Sequence, residues 1–225
     1  DAMILSHAHI DHSGAIPFLC KSGFGGPIHA TDTTADLCRA MLLDAAHIQA
    51  KDAEFLNKHY RGRSKGRYEP LYTPADVENA LEQFVSHPYD EPFEPLERVS
   101  ATFHEAGHIP GSSSVELRWQ ENGRAGSLVF SGDLGRPHRP ILRDPAPLPK
   151  ADHLITEGTY GGTRHPDERS LREALERVVR ETLERGGRIV IPAFAIGRTQ
   201  EVVYALDQLF RARRVPEIPV YVDSP

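Results

Sequence analysis

The stretch Ala2-Met3-Ile4-Leu5-Ser6-His7-Ala8-His9-Ile10-Asp11-His12 decides the fold. Its apolar opening, Ala2 to Leu5, predicts a buried strand, and the hexapeptide His7 to His12 falls where that strand ends. Residues two apart on an extended segment share a face, so His7 and His9 are aimed at one cation. The chain then turns, and Asp11 and His12 are in reach of a second cation beside the first. Imidazole and carboxylate are ligands for zinc and similar divalent metals. An expression tag would lack both the interspersed aspartate and the preceding strand.

Two later segments supply the remaining donors. Ala106-Gly107-His108-Ile109-Pro110-Gly111-Ser112 sets a histidine between glycines after a strand, where the backbone can turn sharply. Phe130-Ser131-Gly132-Asp133-Leu134-Gly135 sets an aspartate in the same context. His7, His9 and His108 are then expected to hold one metal and Asp11 and His12 the other, with Asp133 bridging. Two divalent ions, zinc by this donor set, would lie about 3.5–4 Å apart. His104-Glu105-Ala106-Gly107-His108 also matches the zinc-protease pattern HExxH, which needs a helix to bring both histidines to one face. Here the pattern follows strand-like alternation, contains Gly107 and runs into Pro110, so His104 is expected to be a strand residue without a ligand role.

The rest of the chain reads as mixed sheet with helices. Gly14 to Leu19 suits a short helix, Pro27 to Ala30 a strand, and Thr31 or Asp32 caps a helix through Ala35 to Phe55. Gly62 to Tyr72 reads as an exposed basic loop. Thr73 caps a further helix that starts at Pro74 and carries Val77, Ala80, Leu81 and Phe84. Strands are predicted over Val99–His104, Ser114–Trp119, Ser127–Ser131 and His153–Thr156. Then come a helix over Ser170–Arg185, a buried strand over Arg188–Pro192, a helix over Thr199–Arg213 and a strand ending at Asp223.

Composition narrows the classes. The 225 residues are 39% hydrophobic and 26% charged, with mean hydropathy −0.43, as in ordinary globular proteins. No apolar run reaches the length of a membrane span and no secretory signal opens the chain, which fits a cytoplasmic protein. Cys20 and Cys38 stand apart, so neither a disulfide framework nor a cysteine-rich zinc site is implied. A net charge of −6 argues against a surface that grips nucleic acid everywhere. Basic clusters at Arg61, Arg63, Lys65 and Arg67, at Arg136, Arg139 and Arg143, and at Arg211, Arg213 and Arg214 could steer a polyanion or simply be solvated. Arg198, after Gly197 at a helix start, either meets phosphate or caps its own helix. Ser112 and its neighbours Ser113 and Ser114 either touch substrate or satisfy the local backbone, and Ser224 is a further candidate for phosphate contact.

In order, HxHxDH, the distal GH and SGD resemble the metallo-β-lactamase superfamily. Within it, Thr156-Glu157-Gly158-Thr159-Tyr160-Gly161 is similar to the E-x-T-Y-G motif that opens a β-CASP insertion, and Ile191 to Glu201 and Val222 to Pro225 resemble segments of that insertion. The resemblance implies an α/β fold: an αββα sandwich over residues 1–161, lacking its N-terminal strands, and the start of a β-CASP domain over residues 162–225. It implies a metal-dependent ribonuclease acting on single-stranded RNA, with a homodimer as one expectation for its assembly. Glu157 would orient a general-acid histidine, and Asp11 would orient the attacking water as well as ligate; read without the motif, Glu157 is a strand-end carboxylate held by backbone amides. The family's earlier aspartate motif and two later histidine motifs have no counterpart here, so the second metal is expected to be under-coordinated and the chain alone weakly active or inactive. A thioester or lactone hydrolase of the same superfamily and a non-catalytic subunit are the competing functions.

Overall fold

The computed structural model describes residues 1–59, 66–164 and 168–223. The chain divides into two compact units, Asp1–Glu157 and Gly158–Ser224.

In the first unit, β1 (Met3–Ile4), β2 (Ile28–Thr31) and β3 (Phe84–His87) form a parallel sheet in that order. Between them run α1 (Ile10–Ser13), α2 (Ile16–Lys21), α3 (Asp32–His59) and α4 (Pro74–Leu81). Helix α3 buries Thr34, Cys38, Leu42 and Ala46, spaced by four residues along one stripe. That stripe packs with Ile28 and Ala30 of β2 and with Val77 and Ala80 of α4. Because side chains alternate along a strand, the neighbours His29 and Thr31 point the other way, where the His29 ring lies 5.1 Å from Phe93 and Thr31 donates to the Gly111 carbonyl. Phe93 and Gly111 belong to the second layer, built on β4 (Phe93–Leu96), β5 (Val99–Glu105), β6 (Ser113–Glu121), β7 (Arg124–Phe130) and β8 (His153–Ile155). Its strands are antiparallel in sequence order, except that β8 runs parallel to β7.

Helix α4 has the expected start. Thr73 accepts from the Asp76 amide, and the Asp76 carboxylate accepts from the Thr73 amide in return, with Pro74 next in the chain. It ends at Leu81, however, and Phe84 lies on β3 instead of continuing the helix. Pairing of Phe84–His87 with Ile28–Thr31 outweighs the helical spacing of one aromatic. Strand β4, with Pro95 inside it, is invisible to pattern reading; it sits at the sheet edge, where proline is tolerated.

The second unit contains α5 (Glu168–Glu184) and α6 (Arg198–Arg211). Val179, Leu206, Leu209 and Val215 form its core. Gly186, at φ +64°, closes α5 as the Gly186-Gly187 pair suggests. The buried strand expected over Arg188–Pro192 does not form: Val190 is 89% exposed, and no strand is present there among the described residues. The strand expected to end at Asp223 is likewise absent, with Tyr221 91% exposed. Apolar β-formers make a strand only beside a partner that takes their backbone hydrogen bonds. Ser224, and Tyr60–Lys65 with the start of the basic loop, lie outside the described residues.

Candidate metal centre

Three chain turns bring the donors together in the first unit. His7 and His9 leave the end of β1, His108 sits in the turn between β5 and β6, and Asp133 follows β7. One ligand atom from each of His7, His9, His108 and Asp133 lies within 4.8 Å of the others. Asp133 Oδ2 is 3.4 Å from His108 Nε2 and 3.7 Å from His7 Nε2, while its Oδ1 is 3.5 Å from His12 Nε2. Asp133 therefore turns one oxygen to the three-histidine group and the other to His12, the disposition expected of a bridging carboxylate.

His7 is fully buried, and its Nε2 has no hydrogen-bond partner. Its Nδ1 lies 3.1 Å from Ser6 Oγ, which leaves Nε2 as the outward donor. Burial first, then the neighbouring His12, His108 and His9, push its pKa down to about 3. His108 is also held below the ordinary histidine value, by burial and His9 against the opposing pull of Asp133 and Glu157. At neutral pH His7 is a neutral imidazole with a lone pair aimed at a cluster of further donors. A buried polar atom without a partner is costly unless something binds it. The donor set of three imidazoles and a carboxylate is one that zinc-class ions take, so the residues fit a divalent metal.

Asp11 stands apart from this group. It lies in the first turn of the short helix α1, with its side chain 77% exposed, and its Oδ2 is 3.7 Å from His12 Nε2. Asp11 thus lies beside His12, which in turn faces Oδ1 of Asp133. His104 stays on β5 with Nδ1 2.8 Å from Asp90 Oδ1, and the chain after Glu105 turns instead of forming a helix, which removes the HExxH reading.

The remaining candidates make local contacts. Glu157 Oε1 accepts from the Leu134 amide at 2.7 Å, and the Glu157 amide donates to Ser131 Oγ. One backbone amide thus meets the Glu157 carboxylate, and these contacts tie down the loop carrying Asp133. Ser112 is buried, and its Oγ accepts from the His108 and Ile109 amides. Ser113 donates to the Ser6 carbonyl and Ser114 to that of Ser131. In the second unit, Arg198 pairs with Glu201 one turn along its own helix at 3.4 Å, and the Gln200 side chain accepts from the Gly197 amide. Arg211 and Arg214 pair with Asp207 and Glu176.

Thr34 is a residue the sequence did not single out, and Thr31 was read only as a helix cap. Both hydroxyls donate to the Gly111 carbonyl, 80 and 77 residues away, at 2.7 and 2.8 Å. The only local signal was the helix cap, which Thr31 does provide by accepting from the Thr34 amide.

A cluster of metal donors on strand-end loops of two stacked sheets defines a class, and residues 1–185 match the Metallo-beta-lactamase superfamily; the chain belongs to it. Among curated relatives it is 38% identical over 226 residues to Ribonuclease TTHA0252 of Thermus thermophilus, covering 100% of this chain and 46% of that protein. It is 36% identical over 228 residues to Transcription termination factor FttA of Methanosarcina mazei, covering 100% of this chain and 33% of that protein. The chain thus spans less than half the length of either. Among solved structures, the subclass B3 metallo-beta-lactamase MEM-A1 from a soil metagenome library is 19% identical with a TM-score of 0.39, covering 95% of this chain and 73% of that one. Among the described residues, no helix is long and apolar enough to cross a membrane.

Proposed function

We propose that this chain carries the metal centre of a metal-dependent ribonuclease of the β-CASP kind, which hydrolyses phosphodiester bonds of single-stranded RNA in the cytoplasm. The observation that carries the reading is the convergence of His7, His9, His108 and Asp133 within 4.8 Å, in a chain of which all aligns with a relative named a ribonuclease. Residues 162–225 are read as the opening of the β-CASP domain, on the motif Glu157-Gly158-Thr159-Tyr160-Gly161.

His7, His9 and His108 would hold one ion with Asp133, and His12 with Asp11 a second on the other Asp133 oxygen. Zinc bound there supplies Lewis acidity toward a phosphoryl oxygen and lowers the pKa of water. The buried, neutral His7 keeps its lone pair available without competition from protons. Asp11, exposed at the rim beside His12, would orient the attacking water as well as ligate. Glu157 holds the Leu134 amide, keeping the Asp133 carboxylate turned into the site. Arg198 and Ser112 make their contacts within the protein, which supports a structural share in their roles beside any contact with RNA.

The test is direct. The full-length protein and an Asp11→Ala/His12→Ala variant are incubated with end-labelled single-stranded RNA, with the same sequence as DNA, and with thioester and lactone substrates. Zinc- or manganese-dependent RNA cleavage, lost in the variant, is expected. Turnover of the small esters without cleavage of either nucleic acid would instead make this a small-molecule hydrolase.

A further inference from the structure

We infer that the N-terminus of helix α3 positions His108 for metal binding, through a clamp of hydroxyls made by Thr31, Thr34, Tyr89 and Ser112. The inference rests on His108 being a metal ligand. The loop from Ala106 to Ser112 is closed at its mouth by the Ala106 amide donating to the Ser112 carbonyl at 3.1 Å, and the Tyr89 hydroxyl donates to that same oxygen at 2.8 Å. Inside the loop, Ser112 Oγ accepts from the amides of His108 and Ile109 at 3.0 and 3.2 Å. These two bonds fix the backbone at the residue from which the imidazole projects. At the far side, the Gly111 carbonyl takes both threonine hydroxyls, which uses its two lone pairs.

Gly111 has φ +82°, and a Cβ there would sit 2.6 Å from the Thr34 amide nitrogen and 2.9 Å from Thr34 Oγ1. Glycine is thus what allows the loop to rest directly on the helix. Thr31, Thr34, Ser112 and Gly111 are all buried, so the two threonine bonds and the Ile109 amide bond form away from water, and breaking one leaves a buried group unpaired; the His108 amide and Tyr89 bonds are part-buried. Within the cluster, His108 Nε2 lies 3.1 Å from His9 Nδ1 and 3.4 Å from Asp133 Oδ2, and its ring meets those of His7 and His9 edge-on. Its place is set from behind, by a 28-residue helix anchored in the core. Outer contacts that orient ligands in this way change metal affinity about 10–100-fold when removed.

Thr34→Val keeps the shape and removes one donor to Gly111; Ser112→Ala removes the acceptor for the His108 amide; Thr34→Ser restores the hydroxyl. Zinc affinity is measured by competition with a chromophoric chelator on the full-length protein. The visible spectrum of the cobalt-substituted protein and the melting temperature of the metal-free protein are recorded alongside. Expected are a loss of zinc affinity of about tenfold or more in Thr34→Val and Ser112→Ala, with an altered cobalt spectrum, and recovery to within about twofold in Thr34→Ser. A lower melting temperature with wild-type zinc affinity and cobalt spectrum would reduce the clamp to a structural role and overturn the inference. Should Thr34→Val fail to fold, Ser112→Ala decides by the same two readings. Failure of the wild-type protein to bind zinc would overturn the metal-site reading instead.

Discussion

His7 is under physical tension: an imidazole in full burial, its Nε2 without a hydrogen bond and its pKa pushed down to about 3. In the unfolded chain it titrates near the ordinary value of about 6.5. Between those values the unfolded chain binds the proton and the folded chain does not, so stability falls as pH drops from about 6.5 toward 3. The slope from this one residue is about 1.4 kcal/mol per pH unit. Chelator-treated protein should show this as a falling urea midpoint over that range, and His7→Asn should flatten the profile. Cys38 is a second residue under constraint, its thiol fully buried and raised to about 12, mainly by burial. It should resist a thiol reagent in native buffer and react only on unfolding, whereas Cys20 is partly exposed. Rapid native labelling of Cys38 would mean that the helical layer is looser than its packing indicates.

At the scale of elements, the ligand-bearing turns depend on backbones in direct contact. A Cβ on Gly135 would run into the Gly107 carbonyl beside His108. Gly135→Ala should therefore cost about 1–3 kcal/mol and weaken metal binding with it, as read by denaturation and zinc titration. Thr73→Ala, far from the site, should cost about 1 kcal/mol through loss of the α4 cap while leaving metal affinity unchanged. The cap was legible in Thr73-Pro74-Ala75-Asp76 because its chemistry is local, and so were β1, β2 and β5 to β8 in outline. Strand β3 and the absent strand at Arg188–Pro192 were not, since whether an apolar run becomes a strand depends on the partner beside it. The donors were legible for the opposite reason: few arrangements other than a metal site place histidines and aspartates so densely at strand ends. That Asp11 stands at the rim, and that Thr34 reaches Gly111, are products of the tertiary fold, without a local pattern to announce them.

For the molecule as a whole, four donors converge within 4.8 Å at the first proposed cation position, while the second proposed position has His12, the outer oxygen of Asp133 and the exposed Asp11. A zinc titration of the protein should therefore show one tight event and one much weaker. Superfamily membership and two stacked sheets account for where the proposed centre sits, and RNA is the substrate proposed. The central claim, that His7, His9, His108 and Asp133 hold the metal, is tested most directly by X-ray absorption at the zinc edge of the loaded protein. Expected is a first shell of nitrogen and oxygen at about 2.0–2.2 Å with the outer scattering of three imidazoles, reduced to two in His108→Ala. Sulfur in the first shell, or an unchanged spectrum in His108→Ala, would contradict it.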